Sequence, residues 1–290
     1  MTQTAGLVVV DKPAGITSHD VVSRVRRLAG TRKVGHAGTL DPMATGVLLV
    51  GVNRATRLLG HLMLTTKAYD ATIRLGVSTT TDDAEGEVVA ETTASFHQPG
   101  LVRAEFEKQV GEILQVPTAV SAIKVDGKRA YQRVRDGESV ELEARPVTIH
   151  ELVVHEQRVV GEWIDVDISV RCSSGTYIRA IARDVGEALG VGGHLTALRR
   201  TAVGPFTLAE AHTLDELGEH FAVTPITEVA RRCFPTFDLD AAQADDVRFG
   251  RRVDVQLPGE GAVAVFAPDG DFLALYEQRG ERAAALAVFV

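Results

Sequence analysis

The chain has 290 residues, 45% hydrophobic and 24% charged, with 10 prolines and no low-complexity tract; this balance describes a folded globular protein and excludes a disordered or fibrous one. A formal net charge of −8, taken alone, speaks against a nucleic-acid binder. No apolar run reaches membrane-span length and no secretory leader pattern opens the chain, so a soluble, cytoplasmic protein is expected; a monomer is the default expectation, which these features do not address. Cys172 and Cys233 lie far apart, outside any CxxC or Cys/His cluster; neither a disulfide framework nor a zinc site is expected.

Gly6–Val10 is a short β-branched run read as a buried strand, and Asp11-Lys12-Pro13-Ala14-Gly15 turns the chain. Thr17 or Ser18 then caps a helix whose apolar face is Val21, Val22, Val25 and Leu28, closed by Gly30, with Arg24, Arg26 and Arg27 on or near its other face. The stretch Gly35–Arg57, GHAGTLDPMATGVLLVGVNRATR, breaks nearly every local rule. His36 and Asp41 sit among three glycines, Pro42 holds Asp41 extended, and an apolar run to Val52 follows at once. One acid and one imidazole on a loop of little bulk suit close approach of a substrate to the backbone. An Asp-Pro turn of no further consequence fits the same residues.

Asn53 is read as the cap of a helix over 54–64. Lys67–Leu75 alternates as a half-buried strand with Tyr69, Ala71, Ile73 and Leu75 on one face. TDDAEGE, residues 81–87, reads as a polar surface loop, with contact of Asp83 to RNA as the other reading. Residues 101–110 read as an amphipathic helix. Beyond Gln115 comes a stretch with Lys124, Lys128, Arg129, Tyr131, Arg133 and Arg135, charges and an aromatic that suit phosphate contact and base stacking as well as an ordinary solvated helix. Residues 163–172 alternate cleanly and lead through Ser173-Ser-Gly-Thr-Tyr-Ile-Arg179 into a helix over 177–189. Arg179 falls in its first turn, where the helix dipole disfavours a cation unless an anion lies close; Asp41 is the candidate anion. A short strand His194–Arg200 follows. Beyond an acidic helix over 214–221, residues from Thr236 onward read as short strands, with Arg248, Arg251 and Arg252 as the main basic cluster.

Charge is unevenly spread. Residues 1–74 hold ten Lys/Arg against four Asp/Glu, residues 124–135 five against one, and residues 171–200 five against two. If these stretches share a face, they make a local positive field on an acidic protein; scattered solvated cations satisfy the same counts.

Five of these stretches, in order between Gly6 and Arg200, resemble one family. HAGTLDPMATGVLLVGVNRATRL, from His36 to Leu58, is similar to the catalytic motif of the TruB family of tRNA pseudouridine synthases, which isomerise uridine 55 in the T loop. DKPAGITS resembles the N-terminal motif that supports the catalytic loop, KAYDATIRLG the segment carrying a base-stacking tyrosine, CSSGTYIR the CxxGTYIR motif, and His194–Arg200 the strand whose leucine packs on the base. The stretch from Gln115 to Tyr131 is similar to the family's RNA-gripping segment, departing from it at Thr118 and Val120.

The resemblance implies an α+β fold with a mixed, mainly antiparallel sheet and flanking helices, the pseudouridine synthase fold, followed by a small β-rich PUA-like C-terminal domain. Its domains are expected over 1–234 and 235–290, with an RNA-gripping insertion at 124–150. It implies Asp41, Tyr69 and Arg179 as catalytic residues: nucleophile, ring against the flipped uracil with a part in proton transfer, and partner of the aspartate. It implies substrate contacts from His36, which takes the place of the flipped base, from Tyr177 and Leu198 around the base, and from Lys12, Lys124, Lys128, Arg129 and Arg133. The partner is tRNA through its T stem-loop. The reaction breaks N1–C1′, turns the uracil and rejoins it through C5, so no cofactor and no metal is expected. The devices of nucleotide hydrolysis, Rossmann redox chemistry and zinc hydrolysis are missing from the sequence. A tRNA-binding folding factor, and a related isomerase with another RNA target, remain open at this point.

Overall fold

The computed structural model describes residues 5–63, 65–118 and 142–290, together with the backbone of the short paired strands Lys124–Val125 and Lys128–Arg129. The chain divides into two compact units, one of Met1–Asp41, Gly46–Met63 and Gly204–Val290, the other of Pro42–Thr45 and Leu64–Val203. Sheets in both are mainly antiparallel, and helices flank them. Among the described residues no helix is long and apolar enough to cross a membrane.

In the first unit the apolar run after the Asp41 loop becomes strand Thr45–Val52, buried at every position from Gly46 on. It pairs antiparallel with Gly6–Lys12, from Gly6 opposite Val52 to Lys12 opposite Gly46, and with Val34–Ala37. Val8, Val10, Leu48 and Val50 are fully buried, each worth about 1.5–3 kcal/mol relative to an exposed position. Helix Ser18–Leu28 begins in a capping box: Thr17, not Ser18, is the cap, its hydroxyl taking the Asp20 N–H at 3.1 Å while the Asp20 carboxylate takes the Thr17 N–H at 2.8 Å. Asn53 does not cap the following helix. It lies in the left-handed region (φ 56°) and accepts a hydrogen bond from the Thr31 hydroxyl at 3.0 Å. A 3-10 turn, Asn53–Arg57, then precedes the short helix Leu59–Leu62.

The same unit ends in a four-stranded sheet, in the order Thr236–Asp238, Val263–Phe266, Phe272–Arg279, Arg282–Val288. Its first pair is parallel and the others antiparallel. Residues 247 and 248, expected among short strands, close helix Ala241–Arg248, whose Asp240 cap and Gln243 form a capping box. Val247 joins Leu239, Val253, Val265 and Tyr276 in a separate core.

In the second unit five antiparallel strands lie in the order Gly193–Val203, Lys67–Leu75, Trp163–Cys172, Arg145–Val160, Gly111–Gln115. The alternation of Lys67–Leu75 is as the sequence predicts, with Lys67, Tyr69, Ala71, Ile73 and Leu75 buried and their neighbours less so. Residues 145–149 pair with Gly111–Gln115, so the far end of the expected 124–150 insertion is sheet. Helix Ile178–Ala188 packs closely on strand Gly193–Val203. A Cβ on Gly186 would meet the Gly192 carbonyl carbon at 2.2 Å, and one on Gly193 the Ala182 carbonyl oxygen at 2.4 Å. Glycine at both positions lets the two backbones touch.

Candidate active site

In the first unit the Asp41 loop is held from below by the helix that precedes it in sequence. Ser18, buried at the helix start, donates its hydroxyl to the Leu40 carbonyl at 3.1 Å and accepts the Leu40 N–H at 2.9 Å. The residue before Asp41 is thereby fixed through both of its backbone groups. Gly38 and Gly46, on either side of the acid, have φ of 79° and 100°, a conformation side chains other than glycine rarely adopt. Asp41 itself is half-buried. His36 is also half-buried, its ring edge-on to His19 with centroids 5.4 Å apart. Lys12 is fully buried and donates from Nζ to the Pro13 carbonyl at 2.8 Å.

The second unit supplies the remaining candidates. Tyr69 and Leu198 are buried on adjacent strands, with Arg200 opposite Tyr69 and Leu198 opposite Ala71. Tyr177 is the N-cap residue of helix Ile178–Ala188. Arg179, 5% exposed, sits in the first turn, where a cation needs an anion. The described contacts give it one: Nη1 lies 3.3 Å from Oδ2 of Asp83 and donates to the Thr81 carbonyl at 2.8 Å.

The reading of residues 81–87 as a surface loop holds for Ala84, Glu85 and Glu87, which are exposed, and is corrected at Asp83. Asp83 is 2% exposed, and its other oxygen accepts from the Thr81 hydroxyl at 2.5 Å and from the Glu85 N–H at 3.0 Å. Asp82 adopts the left-handed conformation (φ 59°) and lies 3.5 Å from Arg183. Burial raises its carboxyl above the usual range against the pull of Arg183 and Arg179. Polar composition suggested solvent throughout; a buried arginine is what draws the Asp83 side chain inward.

Lys67 heads the buried row that includes Tyr69, and burial, with the Arg200 charge second, lowers its pKa from 10.5 to about 8. Burial pushes the Cys172 thiol, opposite Lys67 across the sheet, up to about 11, which leaves it unreactive. Lys124 pairs with Arg129 and Val125 with Lys128 in a small hairpin. Arg133 lies outside the described residues, as do Tyr131 and Arg135. In the C-terminal sheet unit, Arg248 and Arg251 are paired with Asp245 and Asp246 at 2.9 Å each, so two of the three basic charges there are balanced locally. Among the described residues no cluster of His, Cys, Asp or Glu suits a metal ion.

Three family models cover the chain from residue 26 onward. Residues 26–178 match "TruB family pseudouridylate synthase (N terminal domain)", 179–233 "tRNA pseudouridylate synthase B C-terminal domain", and 234–290 "tRNA Pseudouridine synthase II, C terminal". The chain is 58% identical to the tRNA pseudouridine synthase B of Thermobifida fusca (strain YX), covering 98% of each chain. It is 57% identical to the protein of that name from Arthrobacter sp. (strain FB24), covering 98% of this chain and 96% of the relative. Among solved structures it superposes on a chain of a Cbf5-Nop10-Gar1 complex with TM-score 0.76 and 25% identity, over 99% of this chain and 85% of that one. The protein is thus an isomerase of the pseudouridine synthase class, with the α+β fold expected and a β-rich C-terminal sheet. It belongs to the TruB family.

Proposed function

We propose that the protein converts uridine 55 in the T loop of tRNA to pseudouridine by flipping that nucleotide and attacking it with Asp41. The observation that carries this reading is the buried Arg179, locked by Asp83 and the Thr81 carbonyl at the start of a helix. In this reading that fixed arginine is the cation that keeps the Asp41 carboxylate ionised and nucleophilic. In this reading Asp41 assists cleavage of N1–C1′, the uracil turns, C1′ bonds to C5, the hydrogen on C5 leaves as a proton, and N1 gains a proton, so that the product is an isomer of the substrate. Tyr69 lies against the turned base and takes part in moving that proton. Tyr177 and Leu198 line the base pocket, and His36 takes the place the base vacates in the stack. The stretch with Lys124, Lys128, Arg129 and Arg133 meets the T-arm phosphates, whereas Lys12, expected to do the same, is fully buried and holds the Pro13 carbonyl of its own turn.

The enzyme acts as a cytoplasmic monomer and needs neither metal nor cofactor. Its catalytic domain spans 1–234 with the gripping insertion at 124–150, and 235–290 forms the PUA-like domain. The names of the relatives support the tRNA substrate, and the motif from His36 to Leu58 supports the T-loop position.

The test is incubation of the protein and Asp41→Asn with an unmodified T-arm stem-loop RNA, followed by pseudouridine-specific chemical mapping. Modification at the T-loop uridine by the parent alone is the expected result. Binding without modification by either protein would overturn the reading for this substrate.

A further inference from the structure

Strand Gly111–Gln115 ends at the outer edge of the five-stranded sheet, and its last residue, Gln115, is a polar side chain only 1% exposed. Its carboxamide does two things at once. Oε1 accepts the backbone N–H of Tyr177 at 2.8 Å, and Nε2 donates to the backbone carbonyl of Tyr177 at 3.1 Å. Tyr177 is the N-cap of helix Ile178–Ala188, in an extended conformation and without a side-chain cap bond of its own. Its carbonyl also receives the first helical bond, from the Ala180 N–H at 3.1 Å. A single amide therefore fixes the peptide groups from which both the Tyr177 ring and the Arg179 turn begin.

The next residue is fastened as well. The Val116 carbonyl accepts from Nη2 of Arg183 at 2.7 Å, one helical turn beyond Arg179, and Nη1 of that arginine faces Asp82 beside Asp83. A buried carboxamide with both its donor and its acceptor used on one residue is expensive to place without that partner.

We infer that Gln115 is a positioning residue for the isomerisation: it sets the backbone of Tyr177 and, through the first turn of the helix, the place of Arg179. This rests on the roles proposed above for Tyr177 and Arg179. Gln115 touches no reacting atom in this account, so its removal should slow the chemical step and spare RNA affinity.

Two substitutions separate that role from simple support of the fold. Gln115→Met keeps the volume and removes both hydrogen bonds. Gln115→Glu reproduces both bonds only while its carboxyl is protonated, a state that burial favours. The measurement is single-turnover conversion of the T-arm stem-loop from pH 6 to 8.5, with RNA affinity by fluorescence anisotropy and melting temperature recorded for each full-length variant.

Gln115→Met, assayed well below its melting temperature, should convert RNA about 30-fold or more slowly with an affinity within about twofold of the parent, the loss typical of small misplacements in a site. Gln115→Glu should approach the parent at pH 6 and fall behind it as the pH rises. A folded Gln115→Met at the parent's rate overturns the inference, as does a loss confined to affinity. If Gln115→Met does not fold, Gln115→Glu decides: a ratio to the parent that is flat across pH overturns it. A parent protein that makes no pseudouridine removes the proposed function and this inference with it, whereas an active parent beside an unaffected variant removes this inference alone.

Discussion

Replacing Asp83 by asparagine keeps the shape of the side chain and, with Oδ1 toward Thr81 and Glu85, its acceptor there, while the carboxylate oxygen facing Arg179 becomes an uncharged NH2 donor that cannot accept from it. At 3.3 Å a unit pair attracts by about 5 kcal/mol at an effective dielectric near 20. Both side chains are almost wholly buried, and breaking such a pair from one side costs about 3–5 kcal/mol because the remaining charge stays desolvated. The Thr81 carbonyl still holds one Arg179 N–H, which places the expected loss near the lower end. Asp83→Asn should therefore lose about 3 kcal/mol, a melting shift of roughly 5–10 °C for a chain of this size, and about 100-fold in single-turnover rate as Arg179 is released. A double-mutant cycle with Arg179→Met, read by urea unfolding, isolates the pair. The pair of substitutions should cost clearly less than the sum of the single ones. Losses that add to within about 0.5 kcal/mol would show that Asp83 does not hold Arg179 and would refute the reasoning.

Ser18→Ala leaves the buried Leu40 N–H without its hydroxyl partner; the expected cost is about 1–3 kcal/mol, with faster amide exchange at Leu40 and slower turnover, and an unchanged exchange rate would contradict it. Lys67 has a folded-state pKa near 8 against 10.5, so between those values the unfolded chain binds more protons and stability rises with pH. Between pH 8 and 9 the rise is roughly 1 kcal/mol by linkage. The buried thiols of Cys172 and Cys233, each pushed up from 9.0 to about 11, act in the opposite sense from about pH 8 onward and offset much of that rise in the parent. Urea unfolding at pH 8 and 9 should show the change in stability between the two pH values to be about 1 kcal/mol less favourable in Lys67→Met than in the parent; an identical change in both would remove Lys67 as a source. Replacing Lys128 and Arg129 together by alanine should weaken RNA binding and reduce the slope of log Kd against log salt by about 1.5. An unchanged slope would return both to the solvated surface.

Periodicity was enough to read the strands Lys67–Leu75 and Trp163–Cys172, because a sheet with one buried face imposes a two-residue repeat on its sequence. The requirement that Arg179 find an anion was legible too, since it follows from a cation in a first helical turn. That Asp83 supplies an anion to it was not. Asp83 sits in a run of polar residues that locally looks solvated, and only a buried arginine from nearly a hundred residues later draws it in. Asn53 misled for a related reason: its preference for caps and for left-handed turns is the same chemistry, and the structure uses the second. Helix Ala241–Arg248 was hidden by its weak apolar face, with only Ala244 and Val247 buried. Gln115 carries no local signal, because its partner is a backbone peptide group 62 positions away.

The central claim is that one uridine loses its C5 hydrogen through the action of Asp41. A full-length tRNA transcript prepared with uridine tritiated at C5 releases that label only where C1′ becomes bonded to C5. Under single-turnover conditions, without added metal or cofactor, the parent protein should release one tritium per tRNA. It should release none from a transcript carrying cytidine at position 55, and Asp41→Asn should bind the tRNA yet release none. Release at the parent's rate from Asp41→Asn, or undiminished release from the position-55 variant, would contradict the account.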